Sequence, residues 1–153
     1  METFRRPDRV ADFADSFHSR GQALDLPPKA LMAHAIAQTP AWFEAMLRLR
    51  DRIGRLFGLK TATDIHEQAD ASFLMHLPVL RDDESVYSSG AADKHLDFAI
   101  TVEKHEDATV SFTTEVWFNG ASGRAYLALI LPFHRAILRH WVSVVSTNTE
   151  AEA

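Results

Sequence analysis

The cleanest signal in the chain is a pair of segments that alternate apolar and polar residues with period two. In the first, Leu96, Phe98, Ile100 and Val102 share one face while His95, Asp97, Thr101 and Glu103 share the other. In the second, Val110, Phe112, Thr114, Val116 and Phe118 oppose Thr109, Ser111, Thr113, Glu115 and Trp117. Both read as strands buried on one side. Antiparallel pairing must bring the two apolar faces together, so the numbers of paired residues sum to an even total. A sum of 212 sets Asp97 opposite Glu115, where like charges repel; a sum of 214 sets Asp97 by Trp117 and Thr101 by Thr113, and is preferred. It implies a three-residue loop of Glu106, Asp107 and Ala108, although neither Gly nor Asn is there to take a left-handed conformation.

Upstream, Ala11 to His18 alternates in the same way and predicts a short strand, with Asp15 on its otherwise apolar face. That position requires either a sheet edge or a partner for the carboxylate. Pro27 and Pro28 precede a short alanine-rich helix from Lys29 to Gln38. Thr39 and Pro40 then signal a second helix, Thr39 as N-cap, in which Trp42, Phe43, Met46, Leu49, Ile53, Leu56 and Phe57 recur at helical spacing. Glu44, Arg48, Asp51, Arg52 and Arg55 take its solvated side, and Gly58 ends it. Residues 60–72 are polar and aperiodic. Phe73 to Leu77 reads as a strand up to Pro78, Arg81 to Asp83 as a turn, Glu84 to Ser89 as a short strand and Gly90 to Asp93 as another turn.

After Asn119 and Gly120, with Ser122 as cap, a long helix is expected from about Gly123 to Val145. Tyr126, Ile130, Phe133, Ile137, Trp141 and Val144 form one apolar row and Leu127, Leu131, Leu138 and Val142 the next; Arg124, Arg135, Arg139 and Ser143 form the polar stripe. Pro132 inside this helix predicts a kink, since it removes a donor and clashes with the Ala128 carbonyl. The order of elements is α+β: a curved antiparallel sheet with two short N-terminal helices and a long C-terminal helix across it, the helix-grip arrangement. The expected organisation is a single domain over residues 1–146 followed by a disordered tail, 147–153.

The segments ADFADSF (Ala11–Phe17), RLRD (Arg48–Asp51), FGLK (Phe57–Lys60), HLDF (His95–Phe98), RAY (Arg124–Tyr126) and PFHR (Pro132–Arg135) resemble the bacterial domain-of-unknown-function family 2867. The resemblance runs from about Ala11 to Arg139. It implies a START-like helix-grip fold and brings no established activity. Some members of that family carry the module behind a nucleotide-binding reductase-like domain, but no G-x-G-x-x-G motif occurs here.

Composition narrows the function classes. In 153 residues, 46% are hydrophobic and 24% charged, the balance of a globular chain, and the net charge of −5 argues against nucleic acid. There is no cysteine, hence no disulfide framework, thiolate metal site or thiol nucleophile. No apolar run approaches the length of a membrane span, and the expected location is cytoplasmic. No cofactor motif is recognised. Eight histidines raise the question of a metal, but His66 is followed four residues later by Asp70 where a zinc helix needs His, and His134 and His140 fall on different helix faces.

Two constellations remain. His95 and Asp97 form a polar pair on one strand face, read first as a hydrogen-bonded surface pair and second as an oriented general base. His134 lines up with Leu127, Leu131 and Leu138 beside Pro132, where its imidazole can satisfy the freed Ala128 carbonyl or reach into a cavity. Arg135 is expected to pair with Asp12, Asp15 or Asp97. The leading expectation is a binding module for a hydrophobic small molecule, its pocket lined by Phe98, Phe112, Thr114, Tyr126, Phe133 and Ile137 with His134 as polar handle. The alternatives are a small enzyme using His95, Asp97 or His134 for acid–base chemistry, and a non-catalytic partner domain of a reductase. The sequence leaves the oligomeric state open.

Overall fold

The computed structural model describes residues 7–56, 71–92 and 96–147. Strand β1 (Phe13–His18) is followed by a two-residue strand β2 (Gln22–Ala23), helices α1 (Pro28–Ala37) and α2 (Ala41–Leu56), and a 3₁₀ helix (Ala71–His76). Strands β3 (Val79–Asp82), β4 (Val86–Ala92), β5 (Leu96–Lys104) and β6 (Val110–Phe118) lead to the long helix α3 (Ala121–Val144) and a last short strand β7 (Ser146–Thr147). Five strands form one antiparallel sheet in the order β1-β6-β5-β4-β3, and β2 pairs with β7 in a separate two-stranded ladder. The α+β class with a long C-terminal helix follows from these elements.

The central hairpin has the register that face-matching requires: Asp97 opposes Trp117 and Thr101 opposes Thr113. Its loop is closed by backbone bonds from His105 N to Thr109 O (2.8 Å) and from Ala108 N to His105 O (2.9 Å). Ala108 itself takes the left-handed conformation, φ 69°. The Asp107 carboxylate holds the next residue in place by accepting from Thr109 N at 3.1 Å and Thr109 Oγ1 at 2.6 Å.

β1 is an edge strand, and Asp15 sits on its inner face with Arg135 as partner, so both conditions for that carboxylate are met. An inward charge at an edge also discourages strand addition.

The inner face is covered by two helices. α3 packs on β1 and β6, and α1 packs on β4 and β5. Five strands at about 4.8 Å spacing span about 19 Å, while a helix with side chains is about 10 Å wide, so one helix cannot cover them. α1 therefore buries Leu31, Met32, Ala35 and Ile36 almost completely. They join Phe43 and Leu47 of α2, Tyr87, Ile100, Val102, Val110 and Phe112 of the sheet, and Ile137, Leu138 and Trp141 of α3 in the main core. A second, smaller cluster of Leu96, Val116 and Leu127 lies at the other end of the same face.

Several local expectations are corrected. Phe73 to Leu77 is no strand: the chain forms a 3₁₀ helix through His76, and buried Leu74 and Leu77, three residues apart, match its three-residue turn. Arg81 and Asp82 belong to β3, and the turn is moved to residues 83–85 because Asp83 Oδ1 accepts from Ser85 N (2.9 Å) and Val86 N (2.8 Å). The Arg81 guanidinium, with these backbone bonds beside it, holds the Asp83 carboxyl down at about 2. Gly90 to Ala92 continue β4 instead of turning.

Thr39 does not cap α2. Its hydroxyl donates back to Ala35 O (3.3 Å) and accepts from Trp141 Nε1 (3.0 Å), joining the end of α1 to α3. Among the described side chains of α2, Phe43 and Leu47 are buried, while Trp42 and Leu49 point outward; the side chains of Ile53 and Leu56 lie outside those described. Ser122 lies within α3, which starts from Gly120 without a side-chain cap. α3 is helical without interruption through Pro132; Pro132 and Ala128 both lie on its exposed side, where water can take the freed carbonyl. The outer face of the hairpin is not wholly solvated either, because Trp117 is buried with its indole N–H bonded to Arg9 O (2.8 Å). Thr147, placed in the tail by its polarity, pairs with Gln22 in the β2–β7 ladder. Phe57, Gly58, residues 60–70 and His95 lie outside the described residues.

The left-handed alanine yields a direct expectation. A Cβ in that conformation costs roughly 1–2 kcal/mol, and glycine removes this at a smaller entropic cost in the unfolded chain. Ala108→Gly should therefore stabilise the fold by about 1 kcal/mol; urea denaturation of the two proteins measures it, and an unchanged or lower midpoint would contradict the strain.

Candidate functional site

The two apolar clusters touch along the sheet through Phe98, which packs against both. Between them runs a row that the strand registers align across the inner face: Asp15 of β1, Thr114 of β6, Ile100 of β5 and Ser89 of β4. Three of these four residues are polar, whereas the rows on either side carry Phe17, Phe112, Val102 and Tyr87, and Phe13, Val116, Phe98 and Ala91. The row results from the period-two pattern itself, because Thr114 is the only polar side chain on the inner face of β6.

α3 delivers the matching groups from above. His134 Nε2 lies 3.0 Å from Thr114 Oγ1, and Arg135 Nε donates to Asp15 Oδ2 at 3.1 Å. Each end of the first bond is bracketed by the two clusters. Thr114 lies between Phe112 and Val116 along β6, and His134 lies between Leu131 and Leu138 along α3. His134 bonds the sheet hydroxyl, not the Ala128 carbonyl expected from the proline. Arg135 chooses Asp15 from the three carboxylates considered. Asp12 is taken by Arg9, which donates from Nη1 to Oδ2 at 2.7 Å, and also accepts from Phe118 N at 2.8 Å; these contacts lower its pKa. Asp97 accepts from Asn119 Nδ2 at 3.1 Å.

The electrostatics of the bond follow from its burial. Desolvation pushes the His134 imidazole down to about 4 from its ordinary 6.5; the Asp15 carboxylate works against this, and the Arg135 guanidinium adds to it. At neutral pH the ring is uncharged. One ring nitrogen is then a donor and the other an acceptor, and the Thr114 hydroxyl, able to act either way, accommodates both tautomers.

The expected lining residues divide into three groups. Thr114 and His134 are brought together, while Phe98 and Tyr126 are half-buried and pack on the smaller cluster, whose Val116 is two residues along β6 from Thr114. Phe112 and Ile137 are instead fully committed to the main core, Phe112 against Trp141 with ring centroids 5.9 Å apart. Phe133 is 44% exposed, on the side of α3 away from the sheet, so it lines no part of this face. Asp97 lies on the opposite face of the sheet from His134, so those two cannot act on one bound molecule. His95 and His66 are outside the described residues, and among the described residues no three His, Asp or Glu side chains are grouped as metal ligands.

Sequence reasoning missed Tyr87. It is fully buried on the inner face of β4; burial pushes the phenol pKa up, and the Ser89 hydroxyl two residues on works against that shift. Its strand is rich in Ser, Gly and Ala, so no apolar alternation marked the face it occupies. Ile130, Leu131, Phe13 and Phe118 were likewise not singled out as lining, though all four are half-buried around the smaller cluster.

The largely desolvated His134 ring makes stability depend on pH. An unfolded chain binds a proton on this ring near pH 6.5, the folded chain only near 4, so protons favour the unfolded state throughout that window. Its contribution is complete above pH 6.5 and is lost as pH falls. Between pH 7 and pH 5 the protein should lose about 2 kcal/mol through this group, and His134→Gln should lack that part of the slope; parallel slopes for the two proteins in urea titrations would refute the assignment.

A family model described as a protein of unknown function (DUF2867) matches residues 9–141. No curated protein and no solved structure matches the chain.

Proposed function

The chain belongs to the DUF2867 family, and from the polar row enclosed by its sheet and helices we propose that it is a binding domain for an apolar small molecule carrying one hydrogen-bonding group. The observation that supports this reading is the bond between uncharged His134 and Thr114 at the junction of two unequal apolar clusters. The main core is finished: Trp141, Phe112, Leu138 and Tyr87 are each 2% exposed or less. The smaller cluster is not. Only Leu96, Val116 and Leu127 are buried there, while Phe13, Phe98, Phe118, Tyr126, Ile130 and Leu131 remain half-buried around them.

Half-buried aromatic and aliphatic groups beside an inward polar pair have the chemistry of a ligand site, an apolar wall with one orienting group. A ligand carbonyl or hydroxyl would replace one partner in the Thr114–His134 bond and keep both polar atoms satisfied. The uncharged ring favours a neutral ligand over an ionised one. Proton transfer draws no support from the same residues, since an imidazole with so low a pKa is a weak base at neutral pH.

Nile red, a neutral apolar dye with one carbonyl acceptor, provides a probe. Saturable binding with a blue-shifted emission is expected, and Thr114→Val should weaken it about tenfold by removing the hydroxyl that donates to the dye carbonyl. Native mass spectrometry of freshly purified protein should show a neutral small molecule retained. Absence of both saturable dye uptake and a retained molecule would overturn the reading.

A further inference from the structure

We infer that His18 and His105, on the outer face of the sheet, form a binding site for a divalent transition-metal ion of the kind that prefers imidazole, such as zinc or nickel. His18 ends β1 and His105 directly follows β5, with β6 lying between those two strands. Two strand spacings, about 10 Å, separate their backbones. The ring centroids are nevertheless 5.6 Å apart. Both rings lean over Ser111 of β6, which pairs with His18 and is 2% exposed although it lies on the outer face. An ion held by one nitrogen from each of two imidazoles, at about 2.1 Å and about the tetrahedral angle, sets the ring centroids about 5.2 Å apart. The pair stands close to that separation already. A metal must also lie in the plane of each ring, and the planes are inclined by 28°, so ligation requires one ring to turn. His18 is free to do so, since its side chain is exposed and its ring makes no hydrogen bond among the described residues.

His105 is the oriented member of the pair. Its Nε2 lies 2.8 Å from the buried Ser111 Oγ. With the hydroxyl as acceptor, Nε2 carries the proton and Nδ1 keeps its lone pair for a metal, the arrangement in which a ligating histidine is fixed through its other nitrogen. The backbone holds the residue as well, His105 N donating to Thr109 O and His105 O accepting from Ala108 N. Charge selects a cation over an anion. Glu103 opposes Ser111 from the side away from His18, on the same face of the sheet. The Asp107 carboxyl, held below its ordinary range first by the Thr109 hydroxyl and in lesser part by His105, lies in the adjoining loop. Lys104 turns away and donates to Leu26 O at 2.9 Å. Among the described residues no third His, Asp or Glu joins the pair as a ligand, so water fills the remaining positions of a bound ion. Two neutral nitrogen donors suit zinc, nickel or copper and do not suit calcium or magnesium, which require oxygen. The site lies on the opposite face of the sheet from the Thr114–His134 bond and stands independently of the function proposed there.

Isothermal titration calorimetry of the full chain tests the site, with zinc chloride and nickel chloride as probes at about pH 7.5, since an imidazole ligates only when uncharged. Saturable binding with a dissociation constant below about 100 μM is expected for both ions. His18→Ala and His105→Ala should each weaken it at least about tenfold, and Ser111→Ala about tenfold through loss of the orienting bond. The chain has 8 histidines, and the two single variants separate this pair from weak binding at the others. His18→Ala alters an exposed position, so an unchanged circular dichroism spectrum distinguishes lost ligation from lost fold. Magnesium chloride should give no saturable heat. Absence of saturation up to about 1 mM zinc and nickel, an affinity unchanged in either histidine variant, or equal binding of magnesium would each overturn the inference.

Discussion

The width of the sheet is the constraint from which the arrangement follows. Five strands are too broad for one helix, so α1 and α3 divide the inner face between them, α1 over β4 and β5 and α3 over β1 and β6. The division sets which apolar residues can be sealed. Where α1, α2 and the C-terminal half of α3 converge, the core closes around Trp141 and Phe112. Where only the N-terminal half of α3 lies on the sheet, the cluster stays small and its rim stays half-buried.

The hairpin at the centre of the sheet was fully legible in the sequence, because a sheet buried on one side punishes any slip by a residue and because one of two allowed registers placed Asp97 against Glu115. Asp15 was legible for the same reason: a charge in an apolar row must have a physical account, and here it has two. α1 was underread. Its alanines dilute the apolar pattern, yet Leu31, Met32 and Ala35 are sealed beneath it. The 3₁₀ helix was hidden because Phe73 to Leu77 is short and apolar, a pattern that a strand shares. The shifted turn at residues 83–85 shows a carboxylate overriding composition, since three acidic or basic residues in a row say less than one Asp able to bond two backbone N–H groups.

For the site, residue type carried further than partner choice. His134 and Thr114 were both identifiable as polar interruptions of apolar rows, but they lie twenty residues apart and their contact depends on how α3 is rotated over β6. The proline drew attention to the Ala128 carbonyl, although that carbonyl faces water. Phe133 illustrates the same limit: a helix apolar on two sides has no phase that periodicity alone can assign, and the choice is made by the sheet beneath it.

The short β2–β7 ladder pins the end of α3 to the segment that leads into α1, with Leu24 N bonding Val145 O at 2.9 Å and Ala23 N bonding Ala108 O at 2.7 Å. Likewise β1, made early, finds its only strand partner in β6. During synthesis on a ribosome the first strand must therefore wait for β6, and the part of the greasy face formed by β1 and β6 has no lid until α3 clears the exit tunnel. A nascent chain of this design is vulnerable for most of its translation, so chaperone demand should fall on the interval before α3 emerges.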